Sequence, residues 1–159
     1  MTLLKGVVFP TVLLKRCVGE ISLQAQGKNI ELTLEAPEDL PPFVGDGPKL
    51  ERVVSNLLSN ALKFTPEGGR ITVSGATDGE WVVISVADTG PGIAPELRAT
   101  MFEPYRQGGK HHSLGVGLGL AIVKRIVTAH RGQISVESSE GQGTTFTVRL
   151  PLHPNQSTN

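Results

Sequence analysis

The sequence predicts a two-layer α/β sandwich: a mixed, mostly antiparallel sheet of about five strands covered on one face by three main helices. Three observations lead there. Helical and strand periodicities are interspersed along the chain, and the strands come in pairs joined by short turns. A chain of 159 residues, 38% of them hydrophobic, has material for one core and not comfortably two.

The elements follow in order. The opening MTLLKGVVFPTVLLK is apolar, but Pro10 interrupts it and no small-residue cleavage site follows, so it reads as part of the fold and not as a signal peptide. Residues 11–27 carry Val12, Leu13, Val18, Ile21 and Leu23 at roughly helical spacing, with Gly27 as a stop. NIELTLEA at 29–36 alternates as a strand, and PEDLPPFVGDG is a proline-rich connection. A helix runs over 48–64, with Asp46 as N-cap and Pro48 in its first turn. PEGG at 66–69 ends it. A hairpin follows, with arms 70–77 and 80–88 around Asp78-Gly79. A short helix lies near 95–102 and an irregular stretch over 103–114. A third long helix runs from Gly117 to His130, and strands 133–139 and 143–151 close a domain spanning 1–152. Residues 153–159 read as a frayed tail.

Composition excludes several classes. Fifteen basic residues balance fifteen acidic ones, which argues against a surface for nucleic acid. No apolar run reaches 18 residues, so no bilayer-spanning segment is expected. Cys17 is the only cysteine, which excludes an internal disulfide and suits a reducing cytoplasm.

Three segments carry chemistry. On the 48–64 helix, Leu50, Val53, Val54, Leu57, Leu58, Ala61 and Leu62 form an apolar stripe. Asn56, Asn60 and Lys63 cluster nearly opposite, within about 60° of one another at about 100° per residue. A carboxamide oxygen suits Mg²⁺ and a lysine suits phosphate, although a solvated face explains the same residues. Asp88 ends the apolar strand VVISVA and precedes Gly90 and Gly92. There it either aims a carboxylate into a pocket, where an exocyclic amine such as adenine's could donate to it, or caps its own turn. Gly115, Gly117 and Gly119 open the third helix and free amides for an anion, a pattern that ordinary loops also show. Neither a Walker A loop nor a Rossmann fingerprint is present. Between the glycine clusters lies a stretch with few core anchors, FEPYRQGGKHHSL, which suits a lid; Arg106 and Lys110 could reach phosphates from it.

Taken in order, ERVVSNLLSNALKFTPEGG, DTGPGI, MFEPYRQ and GVGLGLAIVKRIV resemble the N, G1, F and G2 boxes of sensor histidine kinases, and GQGTTFTVRLP resembles that family's closing strand. The resemblance covers about residues 10–151. It implies the Bergerat ATP-binding fold shared with gyrase, Hsp90 and MutL, and the cofactors ATP and Mg²⁺. By motif position, Asn60 is the implied Mg²⁺ ligand, Asn56 lies near metal and phosphates, and Lys63 contacts phosphate. Asp88 accepts from the adenine amine within a loop that includes Gly90 and Ile93, Gly92 lets the purine in, and Thr145 helps through a water. Gly115, Gly117, Leu118, Gly119 and Leu120 supply contacts to the phosphates, with Tyr105 and Arg106 in the lid. Lys63 and Arg106 are the candidate phosphate stabilisers.

The resemblance also separates activities. Gyrase-like ATPases carry a glutamate where Asn56 stands, and a carboxamide cannot act as that general base. Transfer of the phosphoryl group to another side chain is therefore expected, not hydrolysis. None of His111, His112, His130 and His153 has the HExxTP context of a phosphoacceptor. The implied partner is thus a dimerisation and phosphoacceptor domain outside these residues, with a response regulator downstream. The parent is expected to be a cytoplasmic or membrane-anchored homodimer, and the isolated domain a monomer. A trans-acting serine kinase of the anti-sigma-factor type is the alternative.

Overall fold

The computed structural model describes residues 1–103 and 117–153; for Gly117 and Leu118 it describes the backbone alone. Eleven elements are present among them. The first are β1 (Gly6–Val8), α1 (Pro10–Gly27), β2 (Glu31–Glu35), β3 (Phe43–Gly45) and α2 (Gly47–Phe64). They continue with β4 (Arg70–Asp78), β5 (Trp81–Asp88), α3 (Pro95–Arg98), α4 (Gly117–Ala129), β6 (Gln133–Ser139) and β7 (Gly143–Pro151).

Five strands form one sheet in the order β2-β4-β5-β7-β6. The β2–β4 pair is parallel, because α2 lies between them in the chain; the other three pairs are antiparallel. Helix α1 packs against β2 and β4, α2 against β5, and α4 against β6, so all three cover the same face. The core lies between Leu14, Leu57, Leu58 and Ile126 on the helices and Ile71, Val82, Val86 and Val148 on the strands. The other face carries hydroxyls, with Thr33 facing Thr72 and Ser85 facing Thr147 at 3.4 Å.

Local chemistry explains the helix ends. The Lys49 amide donates to Asp46 Oδ1 at 3.2 Å, which is the expected N-cap of α2. At the other end, Lys28 Nζ donates to the carbonyls of Leu62 and Lys63 at 2.8 and 3.2 Å, satisfying acceptors that the helix leaves open.

Several sequence expectations change. The buried stripe of α1 is Leu13, Leu14, Cys17, Ile21 and Ala25, whereas Val12 and Leu23 are 65% and 80% exposed. Of the residues that marked the helix, Leu13 and Ile21 are buried and Val18 is partly so. The β4–β5 turn is Gly79-Glu80, one residue later than expected, because Asp78 pairs with Trp81 and Gly79 takes the positive φ of 63°. Helix α3 is a single turn. An unforeseen second sheet pairs β1 with β3, so the opening segment and the proline-rich connection meet. Asp46 ties that ribbon down: Leu4 donates to its Oδ2 at 2.8 Å, and its own amide donates to Nε2 of buried His130.

Leu57, on α2, is fully buried in the core. Its replacement by alanine is expected to lower unfolding free energy by about 2–5 kcal/mol, read by urea denaturation.

Candidate functional site

Alternation along β5 places Val82, Ile84 and Val86 inward, and Asp88 ends the strand on that same face. Across the β5–β7 ladder it pairs with Thr144. Beyond Asp88 the chain leaves the sheet, so α2, the 89–94 loop, α3, the first turn of α4 and the start of β7 enclose a cavity of about 210 Å³. Its walls are mostly apolar: Phe64, Leu97, Met101, Leu120 and Phe146, with Pro91, Ile93 and Ala94 from the loop. Polar side chains enter at three positions, Asn60, Asp88 and Thr144. A mostly apolar cavity with a few convergent polar groups is how small-molecule sites are built.

The Asp88 carboxylate is half-buried. Burial pushes its pKa above the ordinary carboxylate value, against the pull of donated hydrogen bonds from the amides of Gly90 and Thr144. Gly90 donates to Oδ1 at 2.8 Å. The turn-capping and pocket-facing alternatives for Asp88 therefore coincide in one side chain.

Asn60 provides the second polar wall. Its Nδ2 is buried and has no hydrogen-bond partner among the described residues. Leaving such a group unpaired is costly, and a ligand or water that reached it would recover that cost. A carboxamide can turn over with little change in shape, which would present Oδ1 there instead, and an oxygen at that position suits Mg²⁺. On the same helix Asn60 is half-buried at the cavity wall, whereas Lys63 is exposed and rests its ammonium 5.8 Å from the Phe64 ring centre.

The remaining predicted residues divide into groups. Gly92, Ile93 and Leu120 line the cavity with Asn60 and Asp88. Asn56 lies one turn back along α2, where its Nδ2 donates to the Gly119 carbonyl at 3.3 Å and ties α2 to the start of α4. Gly117 and Leu118 open α4. Tyr105, Arg106 and Gly115 lie outside the described residues. Thr145 pairs with Ala87 and is not part of the cavity wall; buried Thr144 is. Period-two alternation anchored on buried Phe146 and Val148 places residue 144, not 145, on the helix side.

Gly92 has a further reason to be glycine. Its φ is +83°, and a Cβ there would overlap the Ser139 carbonyl, so it seats the 89–94 loop on the β6–β7 hairpin. Gly143, at φ +96°, likewise lets β7 approach the Asp88 carbonyl. Apolar walls such as Leu97 and Met101 carried no sequence signal, because they come from elements whose convergence is tertiary.

This fold and site define the class, a catalytic domain of the histidine-kinase type. The nucleotide-free catalytic domain of histidine kinase ThkA superimposes with a TM-score of 0.84 at 27% identity, over 96% of this chain and 98% of that one. Full-length ShkA in complex with AMPPNP gives 0.83 at 38% identity, over 95% of this chain and 32% of that one. A profile of the histidine kinase-, DNA gyrase B- and HSP90-like ATPases matches residues 45–154, and the chain belongs to that family. Membership implies nucleotide binding. Among curated relatives, the adaptive-response sensory kinase SasA of Gloeothece citriformis is 42% identical over 134 residues, 81% of this chain and 33% of SasA. The alginate biosynthesis sensor protein KinB of Pseudomonas aeruginosa is 39% identical over 129 residues, 81% of this chain and 22% of KinB. The chain thus spans a third or less of these two sensor proteins.

Gly92→Ala is expected to cost at least about 1 kcal/mol, because both backbone conformation and space oppose the methyl group. Thermal unfolding checks this against Gly68→Ala, where φ is also positive but no neighbour lies within 4 Å.

Proposed function

We propose that the chain binds Mg²⁺-ATP in this cavity as the catalytic domain of a sensor histidine kinase, and presents the γ-phosphate to a histidine on a dimerisation domain. The carrying observation is one apolar cavity with an acceptor carboxylate, Asp88, on one wall and on another a carboxamide, Asn60, whose buried Nδ2 has no partner among the described residues. Asp88 accepts from the exocyclic amine of the base, and Phe64, Met101 and Leu120 exclude water around it. Asn60 holds the metal ion, Lys63 is a phosphate stabiliser, as is Arg106 by motif position, and the opening turn of α4 offers free amides to the phosphates. Bound Mg²⁺ supplies neutralising charge to the phosphate tail.

The chain's share of the reaction is positioning and charge stabilisation. Asn56 has no basic carboxylate with which to activate water, which supports transfer over hydrolysis. Residues 1–152 act as one domain, monomeric in isolation, within a homodimeric parent whose response regulator takes the phosphoryl group. The site works in the cytoplasm. Among the described residues, no helix is long and apolar enough to cross a membrane.

Calorimetric titration with a non-hydrolysable ATP analogue and Mg²⁺ tests the assignment. Asp88→Asn is expected to weaken binding at least tenfold, about the cost of facing the amine with another donor. It leaves the free fold at least as stable, because an acid whose pKa rises on folding opposes folding once ionised. Unchanged affinity in this variant rejects the adenine assignment.

The pH dependence follows. The carboxylate is the accepting form and its pKa is raised, so affinity falls on acidification from a pH above the ordinary carboxylate value. Titrations across mildly acidic pH check this, with Asp88→Asn expected to lack that limb. When the chain is incubated with ATP and the dimerisation domain, the label is expected to be acid-labile, as phosphohistidine is. An acid-stable label indicates the serine-kinase alternative.

A further inference from the structure

Ser138, near the end of β6, is not among the residues to which the proposed function gives a role. Its Oγ is a junction. The Ile93 amide donates to it at 2.7 Å, it reaches the Gly143 carbonyl at 3.1 Å, and it lies 2.9 Å from Thr144 Oγ1. Ile93 and Thr144 both line the cavity, and Thr144 is the cross-strand partner of Asp88. One serine hydroxyl therefore links the 89–94 loop to the polar wall beside Asp88.

Proton counting gives this junction two settings. A hydroxyl has one proton and two lone pairs. If Ser138 donates to the Gly143 carbonyl, Thr144 donates to Ser138, and only lone pairs of Thr144 face the cavity. If Ser138 donates to Thr144, the Thr144 proton is released and can point into the cavity. Adenine carries a ring nitrogen, an acceptor, next to its amine. With the amine on Asp88, that nitrogen faces the neighbouring wall and needs a donor, directly or through one water.

Resting on the reading of this cavity as a base site, we propose that Ser138 is a positioning residue for base recognition: it donates to Thr144 and so turns the Thr144 hydroxyl into a donor toward the ring nitrogen. Loop closure does not depend on it alone. Gly141 donates to the Pro91 carbonyl at 2.6 Å, and Gly92 packs directly on Ser139. Removing the Ser138 hydroxyl frees Thr144 from its fixed direction while those two braces remain.

The test compares ADP with 1-deaza-ADP, in which carbon replaces that ring nitrogen, by calorimetry on the whole chain. The unmodified chain is expected to prefer ADP by about tenfold, the worth of one well-placed donor in a dry site. Ser138→Ala is expected to bind ADP about tenfold more weakly and to reduce the preference to within about twofold. Ser138→Thr, which keeps the hydroxyl, restores the preference. A purely structural role would weaken both ligands alike and keep the ratio, and that result overturns the proposal. In the nucleotide-free chain, hydrogen exchange at the Ile93 amide is expected to accelerate in Ser138→Ala; unchanged protection also counts against it. If Ser138→Ala does not fold, Ser138→Cys, a poor donor, carries the same comparison with the same two outcomes. Failure of the unmodified chain to bind ADP overturns the proposed function itself. ADP binding with an undiminished preference in Ser138→Ala overturns only this inference.

Discussion

The pairing of Asp88 with Thr144 at the end of the β5–β7 ladder is the constraint on which the site depends. It holds a half-buried carboxylate on the helix side of the sheet, where the next inward position has no strand to fill it. Ionising a carboxyl there is opposed by burial, and the amides of Gly90 and Thr144 recover only part of that cost. The site thus keeps an acceptor that the free fold does not favour, the usual relation between a binding group and the scaffold that carries it. Gly143 makes the pairing sterically possible, because a side chain there would strike the Asp88 carbonyl.

A second set of contacts fixes the helices that face this carboxylate. Asp46 caps α2, receives the Leu4 amide, and donates its own amide to His130 at the end of α4. His130 in turn bonds the Ile126 carbonyl through Nδ1, so its two nitrogens carry opposite roles. Burial alone would raise the Asp46 pKa, but the Leu4 and Lys49 amides, with the Lys49 charge, hold it below the ordinary carboxylate value. At the far end of α2, Lys28 holds the last carbonyls. Asn60 therefore stands on a helix anchored at both ends, and Asn56 bridges that helix to α4. Such anchoring gives a binding side chain a defined direction without a ligand present.

Much of this was legible before any coordinates. The α2 stripe from Leu50 to Ala61 is buried as its spacing required, since every third or fourth residue of a helix meets the same surface. Helix α1 shows where that logic weakens. It is apolar on more than one side, and only packing decided that Leu14 and Cys17 face inward while Val12 does not. The β1–β3 ribbon was illegible for another reason: two three-residue strands far apart in sequence carry too short a pattern to register. Thr145 came from motif position, whereas the alternation on β7 puts its neighbour Thr144 on the cavity wall.

By itself the sequence determined the order of elements, the N-cap at Asp46, and the motifs that bring Asn60 and Asp88 into question. These depend on local spacing, turn chemistry and periodicity, which neighbouring residues express without help. Only the tertiary structure decided that the Asn60 Nδ2 is buried, that Asp88 is a turn cap and a cavity wall together, and that Ser138 reaches both Ile93 and Thr144. Each of these depends on segments tens of residues apart excluding water from the same small volume, and desolvation of that kind cannot be read from any one stretch of chain.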